Sequence, residues 1–291
     1  MHGTPESDEE AHQRKARDLK RVLKTIERYK EGNPHYKELL EILGEILILR
    51  EEYRRKVQKS IFPVQDELID AKLRGGLPII DFGARGIDLT EPKNFFMKLL
   101  EIGKAKNPED TGEILKDLED GALDYEKLVY DAFTQSGEDE TPEAVEEESF
   151  DLLRFFIEES LRPAFEFVAE RYGEKISKSG WQEGYCPTCG RIPKIGELRE
   201  EEGRRFLFCN QCGTRWQYKR VKCPFCGNEE QQSLAYFSVE GEEKYRVDVC
   251  DACKRYIKTV DFRSQADEPD LDLEDIATLH LDILAHEEGY H

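Results

Sequence analysis

Apolar side chains recur at helical spacing through the first 180 residues and at alternating spacing beyond them. Leu19, Leu23, Ile26 and Tyr29 mark one face of a helix that Gly32-Asn33-Pro34 stops. Leu39, Leu43, Leu47 and Tyr53 predict a second helix of about six turns, and Gly75-Gly76-Leu77-Pro78 breaks the pattern. Thr90 is the expected N-cap of a helix carrying Phe95 to Ile102. Ile114 to Phe133 predicts one or two more, according to whether Gly121 interrupts. Leu153, Ile157, Leu161, Phe165, Val168 and Tyr172 mark a last helix, with Pro163 expected to kink it. Stripes this wide are the core of a helix bundle rather than a cofactor groove.

Gly173 to Gly180 is polar and glycine-bounded, and reads as a linker. The periodicity then switches. Residues 193–199 and 204–208 predict one strand pair, 214–220 a further strand, and 234–239 with 245–249 a second pair. Glu200 to Gly203 and Glu240 to Glu243 are the turns. A final helix is predicted from Leu273, Ile276, Ala277, Leu281 and Leu284, with Asp270, Asp272, Glu274 and Asp275 at its start.

All eight cysteines fall in the strand-forming region, as four C-x2-C pairs: Cys186 and Cys189, Cys209 and Cys212, Cys223 and Cys226, Cys250 and Cys253. Two residues between cysteines let a tight turn aim both thiolates at one ion. Gly190, Gly213 and Gly227 follow three of the pairs, where a positive φ would close the turn; Lys254 occupies that place in the fourth. Two four-sulfur sites are expected, each closed and without a position for substrate, and suited to zinc or iron. Sequential pairing, first with second and third with fourth, is favoured because a strand pair then fits inside each site. Spacing alone leaves an interleaved arrangement open. Disulfides would need an oxidising compartment, and the first fifteen residues have no apolar stretch of the secretory kind. Redox pairs of the thioredoxin kind would need a βαβ unit, which the pattern lacks.

The net charge is −20, from 43 basic and 63 acidic residues. It lies unevenly: −13 over residues 1–180, +2 over 181–263 and −9 after 263. A general affinity for nucleic acid or an anionic membrane is therefore not expected. The long uncharged apolar stretch that membrane insertion requires is missing too, and a soluble, cytoplasmic protein is expected. The acidic run from Gly137 to Asp151 reads as a solvated loop entering a helix, less readily as a docking strip. Trp216 is expected to pack within a ribbon and His280 to lie on the last helix without ligand duty. Nothing in the pattern demands an enzyme. Two rivals stand beside a non-catalytic reading. One is a zinc-ribbon nucleic-acid module using Arg215, Lys219, Arg220 and Lys222. The other is a thiol redox protein.

The runs GYCPTCGRIP (184–193), RRFLFCNQCGTRWQYKRVKCPFCGN (204–228) and VCDACKRYIK (249–258) resemble the FdhE family of formate dehydrogenase accessory proteins. The ending, Asp275 to Leu279 and on to Glu287-Glu288-Gly289-Tyr290, is similar as well, as is Leu161-Arg162-Pro163. The resemblance implies an α+β protein: an all-α domain over 1–177, four-cysteine rubredoxin-like or zinc-ribbon-like modules over 178–221 and 222–264, and a C-terminal helix over 265–291 packing on the ribbons. It further implies a cytoplasmic, non-catalytic assembly factor that binds the catalytic subunit of a molybdenum or tungsten formate dehydrogenase. All eight cysteines would then be metal ligands and none a nucleophile, with iron favoured over zinc by the resemblance alone. If charge steers the partner, its basic surface is expected to meet the helical half or the tail.

Overall fold

Helices form where the apolar stripes predict them, although several boundaries move. The computed structural model describes residues 8–32, 34–57, 59–83, 86–134, 152–263 and 270–291; the acidic run from Gly137 to Asp151 lies outside them. Helix α1 (Asp8–Gly32) ends at the expected stop, and α2 (Lys37–Arg54) follows a short 3-10 turn at Pro34–Tyr36. The buried face of α2 is Leu40, Leu43, Ile46, Leu47 and Tyr53; Leu43, Leu47 and Tyr53 lie on it as read from the sequence, whereas Leu39 is exposed and Leu40 takes its place. A short α3 (Ile69–Arg74) ends before Gly75. Helix α4 (Thr90–Lys106) starts at Thr90 itself, so Leu89 takes the N-cap place expected of Thr90 and offers no capping side chain; the Thr90 N–H donates to Asp88 Oδ1 (3.1 Å) in a turn that leads into the helix.

Gly121 (φ +72°) does interrupt, separating α5 (Pro108–Glu119) from α6 (Tyr125–Thr134). Helix α7 (Leu152–Lys178) runs through Pro163 and also through most of the expected linker. The polar segment Gly173-Glu174-Lys175 stays helical because Ile176 behind it is buried, and the turn comes at Gly180 (φ +69°). Among the described residues no helix is long and apolar enough to cross a membrane.

The chain divides into two compact units. One takes residues 42–64 and 80–168; the other takes 1–41, 65–79 and 169–291. The first is helical, with Phe95, Phe96, Leu99, Leu100, Leu161 and Phe165 fully enclosed. Phe62, Phe82, Phe133 and Phe165 form one aromatic cluster with ring centroids 4.7–5.9 Å apart. Gly103 lets α4 approach α7: a Cβ there would meet the Phe156 ring at 2.8 Å.

The second unit is built on a single six-stranded sheet. Its strands are β1 (Ile195–Arg199), β2 (Arg204–Phe208), β3 (Arg215–Tyr218), β4 (Leu234–Phe237), β5 (Tyr245–Cys250) and β6 (Arg255–Asp261), in the order β3-β2-β1-β6-β5-β4. Each ribbon is an antiparallel three-stranded meander, and the two join where β1 pairs with β6 in parallel, Ile195 opposite Lys258. The expected C-terminal helix is two, α8 (Leu271–Ala277) and α9 (Leu279–Glu287). Asp270 caps α8 by accepting from Leu273 N at 3.0 Å. These helices cover one sheet face through Leu271 on Ile195, Phe208 and Val260, and through Leu281 and Ala285 on Val247 and Val249. Lys258 is buried under them, its Nζ 2.6 Å from both Asp275 Oδ1 and Asp282 Oδ2.

Candidate metal centres

Each cysteine pair occupies a turn that folds back on its own first residue. The Cys186 N–H donates to Arg191 O, Cys209 to Thr214 O, and Cys223 to Asn228 O, at 2.8–3.0 Å. A second hydrogen bond closes each turn: Gly190 N to Cys186 O, Gly213 N to Cys209 O, Gly227 N to Cys223 O, and Lys254 N to Cys250 O. The three glycines have φ between +69° and +78°, and Lys254 takes the same conformation at φ +57°. Lys254 thus closes the fourth knuckle with the same hydrogen bond that glycine makes at the other three.

These turns gather the sulfurs into two clusters of four, Cys186 with Cys189, Cys209 and Cys212, and Cys223 with Cys226, Cys250 and Cys253. Sequential pairing is what the sheet dictates, because in each cluster one pair precedes the first strand of a meander and the other joins its second strand to its third, which brings both to the same end of it. In the first cluster Sγ atoms lie 3.4–3.8 Å apart (Cys186 to Cys212, Cys189 to Cys209 and Cys189 to Cys212). In the second, Cys223 to Cys253 and Cys226 to Cys250 are both 3.7 Å. Sulfurs about 2.3 Å from a tetrahedral ion stand roughly 3.8 Å from one another, whereas a disulfide needs about 2.05 Å. The donor sets therefore fit one four-coordinate ion each, and all eight cysteines are free of disulfides.

The surroundings differ. All four cysteines of the first cluster are buried, whereas Cys226 is exposed and Cys253 partly so in the second. Burial pushes the Cys189 and Cys212 thiols well up, with Cys186 adding to it. For Cys209 burial acts in the same direction, but hydrogen bonds from Cys186, Cys189 and Cys212 hold it well below its ordinary value. In the second cluster burial raises Cys223. Burial would raise Cys250 as well, yet the N–H groups of Cys253 and Ala252 and the Asn228 amide pull it down to about 7.

Three polar residues support the sulfurs without belonging to a cysteine pair's ends. Thr214 Oγ1 lies 3.0 Å from Cys212 Sγ and 2.7 Å from Thr188 Oγ1, both threonines being buried. Asn228 Nδ2 lies 3.7 Å from Cys250 Sγ. Such groups orient thiolates and temper their charge. Their signal in the sequence was position alone: Thr188 sits inside a knuckle, and Thr214 and Asn228 each follow a knuckle glycine. Trp216 packs in the ribbon as expected, 3% exposed, with Nε1 donating to Glu183 O at 3.1 Å. His280 Nε2 lies 2.8 Å from Glu242 Oε2, away from both clusters.

Comparison with known proteins gives one consistent picture. Residues 185–220 match the family model described as FdhE, central domain, and residues 221–291 the one described as FdhE, C-terminal domain. The chain is 28% identical over 281 residues to the Protein FdhE homolog of Aquifex aeolicus, covering 95% of this chain and 93% of that protein. It is 35% identical over 123 residues to Protein FdhE of Escherichia coli O1:K1, a stretch that spans 40% of this chain and 38% of the relative. The crystal structure of the FdhE protein from Pseudomonas aeruginosa superposes with a TM-score of 0.64, at 21% identity, over 94% of this chain and 92% of that one. That likeness extends the shared fold to the helical region.

Proposed function

Since this chain belongs to the FdhE family, we propose that it is a non-catalytic accessory protein for the assembly of a formate dehydrogenase. We assign Cys186, Cys189, Cys209 and Cys212 as ligands of one metal ion, and Cys223, Cys226, Cys250 and Cys253 as ligands of a second. The observation that carries this reading is the pair of complete four-sulfur sets. Each saturates a tetrahedral ion and leaves no open position, which suits a structural or sensing role better than catalysis.

The chain's own part is to hold the thiolates. Knuckle N–H groups and the Asn228 amide stabilise negative sulfur, Thr214 Oγ1 accepts from the Cys212 thiol and so orients it, and the shared sheet fixes one cluster relative to the other. An ion bound there would clamp one end of each meander, so much of this unit's folding free energy would come with the metal. Iron is favoured over zinc by the family resemblance; four thiolates accept both. The metal-bearing ribbons, read as modules over 178–221 and 222–264, would present a rigid surface to the catalytic subunit of a molybdenum or tungsten formate dehydrogenase. The helical segment 1–177 and the closing segment 265–291 carry the negative charge that would steer it. The work is assigned to the cytoplasm, before any export or membrane assembly of the client.

Affinity capture from an anaerobic lysate tests the proposal. The intact protein is expected to recover a molybdopterin-type catalytic subunit, and the Cys209→Ser/Cys212→Ser double variant to lose it. Recovery of unrelated proteins by both would refute the assignment. Metal content and visible absorption of anaerobically purified protein decide between iron and zinc.

A further inference from the structure

Arg205 crosses the sheet on the face that α8 and α9 leave uncovered. It springs from β2 and passes over Gly196 of β1, where a Cβ would stand 3.3 Å from both Phe206 O and Thr259 Oγ1 and 3.8 Å from Arg205 Nε. The residue is 4% exposed. Its Nη1 donates to Lys222 O at 3.2 Å, but Nε and Nη2 have no hydrogen-bond acceptor among the described residues. Asp248 on β5 does not supply one: it lies 3.9 Å from Nη2. Its Oδ2 accepts from the Thr259 hydroxyl at 2.6 Å and from Arg246 Nη2 at 3.3 Å, and its Oδ1 is ion-paired with Arg246 Nε at 3.0 Å without a hydrogen bond. Burial holds the Arg205 guanidinium below its ordinary value, and Asp248 offsets this only in part. A buried cation with two unanswered donors is costly unless an anion arrives to meet them.

The place for that anion is a cavity of about 200 Å³ beside the second cysteine cluster. Arg205, Arg220, Lys222, Arg246 and Arg255 line it, against the carboxylate of Asp248 and the sulfurs of Cys223 and Cys250. In a chain of net charge −20 so dense a cationic lining is conspicuous. Two of the guanidiniums are fixed on aromatic rings, Arg246 over Tyr236 at 5.0 Å and Arg255 over Phe225 at 5.1 Å. Arg220 and Lys222 are half of the basic cluster noted in the sequence. The other half is spent locally: Lys219 pairs with Glu229, and Arg215 lies 3.6 Å from Glu197.

We propose that this cavity binds a phosphate group, either free or as the monoester of a small metabolite. With Asp248 and an occupied four-thiolate site of charge about −2 set against the five cations, the lining keeps an excess of about +2, more than a singly charged carboxylate would neutralise, and guanidinium forks match the oxygens of a tetrahedral dianion two at a time. The volume admits such a group and little more, well short of a drug-sized ligand. Tyr236, 63% exposed at the rim, offers a ring face to whatever the phosphate carries.

Titration calorimetry on the metal-loaded full chain at low ionic strength tests this, with inorganic phosphate and adenosine monophosphate as probes. Saturable binding at one site is expected for at least one probe. Tighter binding of the nucleotide marks an ester as the natural source; equal binding marks free phosphate. Arg205→Gln is expected to weaken binding by more than about tenfold, as loss of charge-assisted hydrogen bonds requires. Because Arg205 is buried, the exposed-side variant Arg220→Ser, alone and with Lys222→Ser, is measured beside it, with metal content and circular dichroism as controls of folding. Affinity should fall stepwise in these variants while both controls stay unchanged. No saturable binding to the intact protein, or binding indifferent to all three substitutions, would overturn the proposal.

Discussion

Lys254 donates its backbone N–H to the carbonyl of Cys250 across 2.8 Å while held at φ +57°, the conformation that glycine supplies at the other three knuckles. A left-handed residue with a side chain costs about 1 kcal/mol or more. Part of that is offset locally, because Lys254 Nζ lies 2.6 Å from Asp251 Oδ1 and its carbonyl accepts from His291 N at 2.8 Å. The ion pair is exposed and contributes little. Lys254→Gly should therefore stabilise the metal-loaded protein by roughly 0.5–1 kcal/mol. It should also slow metal loss to a competing chelator. A lower melting temperature, or faster metal release, would show that the lysine side chain supports the knuckle.

The two clusters should part company under thiol-reactive reagents. Cys226 is exposed and Cys253 partly so, whereas Cys186, Cys189, Cys209 and Cys212 are at most 6% exposed. Metal-loaded protein given a brief pulse of alkylating reagent should be modified first at Cys226 and Cys253, read by peptide mass spectrometry, with the first cluster protected. Chelation should accordingly remove the ions in two phases, the second cluster emptying first. Uniform labelling of all eight cysteines would contradict this ordering.

How much of this was legible beforehand follows from where each signal lives. The ligand sets are readable because C-x2-C spacing is a local property, and the two strand pairs because β1, β2, β4 and β5 announce themselves by turns and aromatic or branched residues. Strand β6 was not read, since Ile257 to Val260 are all buried and show no alternation. Its parallel pairing with β1, which merges two ribbons into one sheet, joins residues some sixty positions apart and leaves no local trace. Gly196 likewise reads as a weak point in a strand; only the structure shows that its missing side chain is the path for Arg205. The C-terminal region of α7 reads as a linker because four polar residues, Glu174, Lys175, Ser177 and Lys178, outweigh one buried isoleucine, Ile176.

Glu166 gives the helical unit an acid-side dependence. Burial would raise its carboxyl, but Arg54 at 3.5 Å, then Arg162 at 3.1 Å and Arg50, overcome that and pull it down to about 2. A folded value below the ordinary 4.5 means that this stabilisation is fully present above pH 4.5 and drains away as the pH falls toward 2. Glu166→Gln should cost on the order of 3 kcal/mol near neutrality, since it leaves buried arginines short of a counter-charge. The gap between variant and parent should narrow between pH 5 and pH 3. Far-ultraviolet circular dichroism is the readout, because both tryptophans, Trp181 and Trp216, belong to the other unit. A gap that stays constant with pH would remove Glu166 as its source.

Glu274 supplies the corresponding alkaline-side test in the metal-bearing unit. It is 6% exposed and accepts from Tyr245 OH at 2.7 Å, Lys244 Nζ at 2.8 Å and Tyr29 OH at 3.2 Å, so it ties α1 and β5 to α8. Burial first, and the Glu274 charge second, push Tyr29 up to about 12, and the same causes in the same order raise Tyr245. Tyrosines whose folded values exceed the ordinary 10 stabilise fully below pH 10 and lose that contribution as pH rises through the folded value. Tyr29→Phe removes one of three donors and should cost about 1 kcal/mol at pH 8, a cost that shrinks above pH 11. Glu274→Gln should cost more, about 2–3 kcal/mol, because Lys244 loses its carboxylate. It should also lower the Tyr29 ionisation seen in the ultraviolet difference between Glu274→Gln and Glu274→Gln/Tyr29→Phe, while leaving it above 10, since burial persists. An unshifted Tyr29 in the absence of the Glu274 charge would mean that burial alone sets its value.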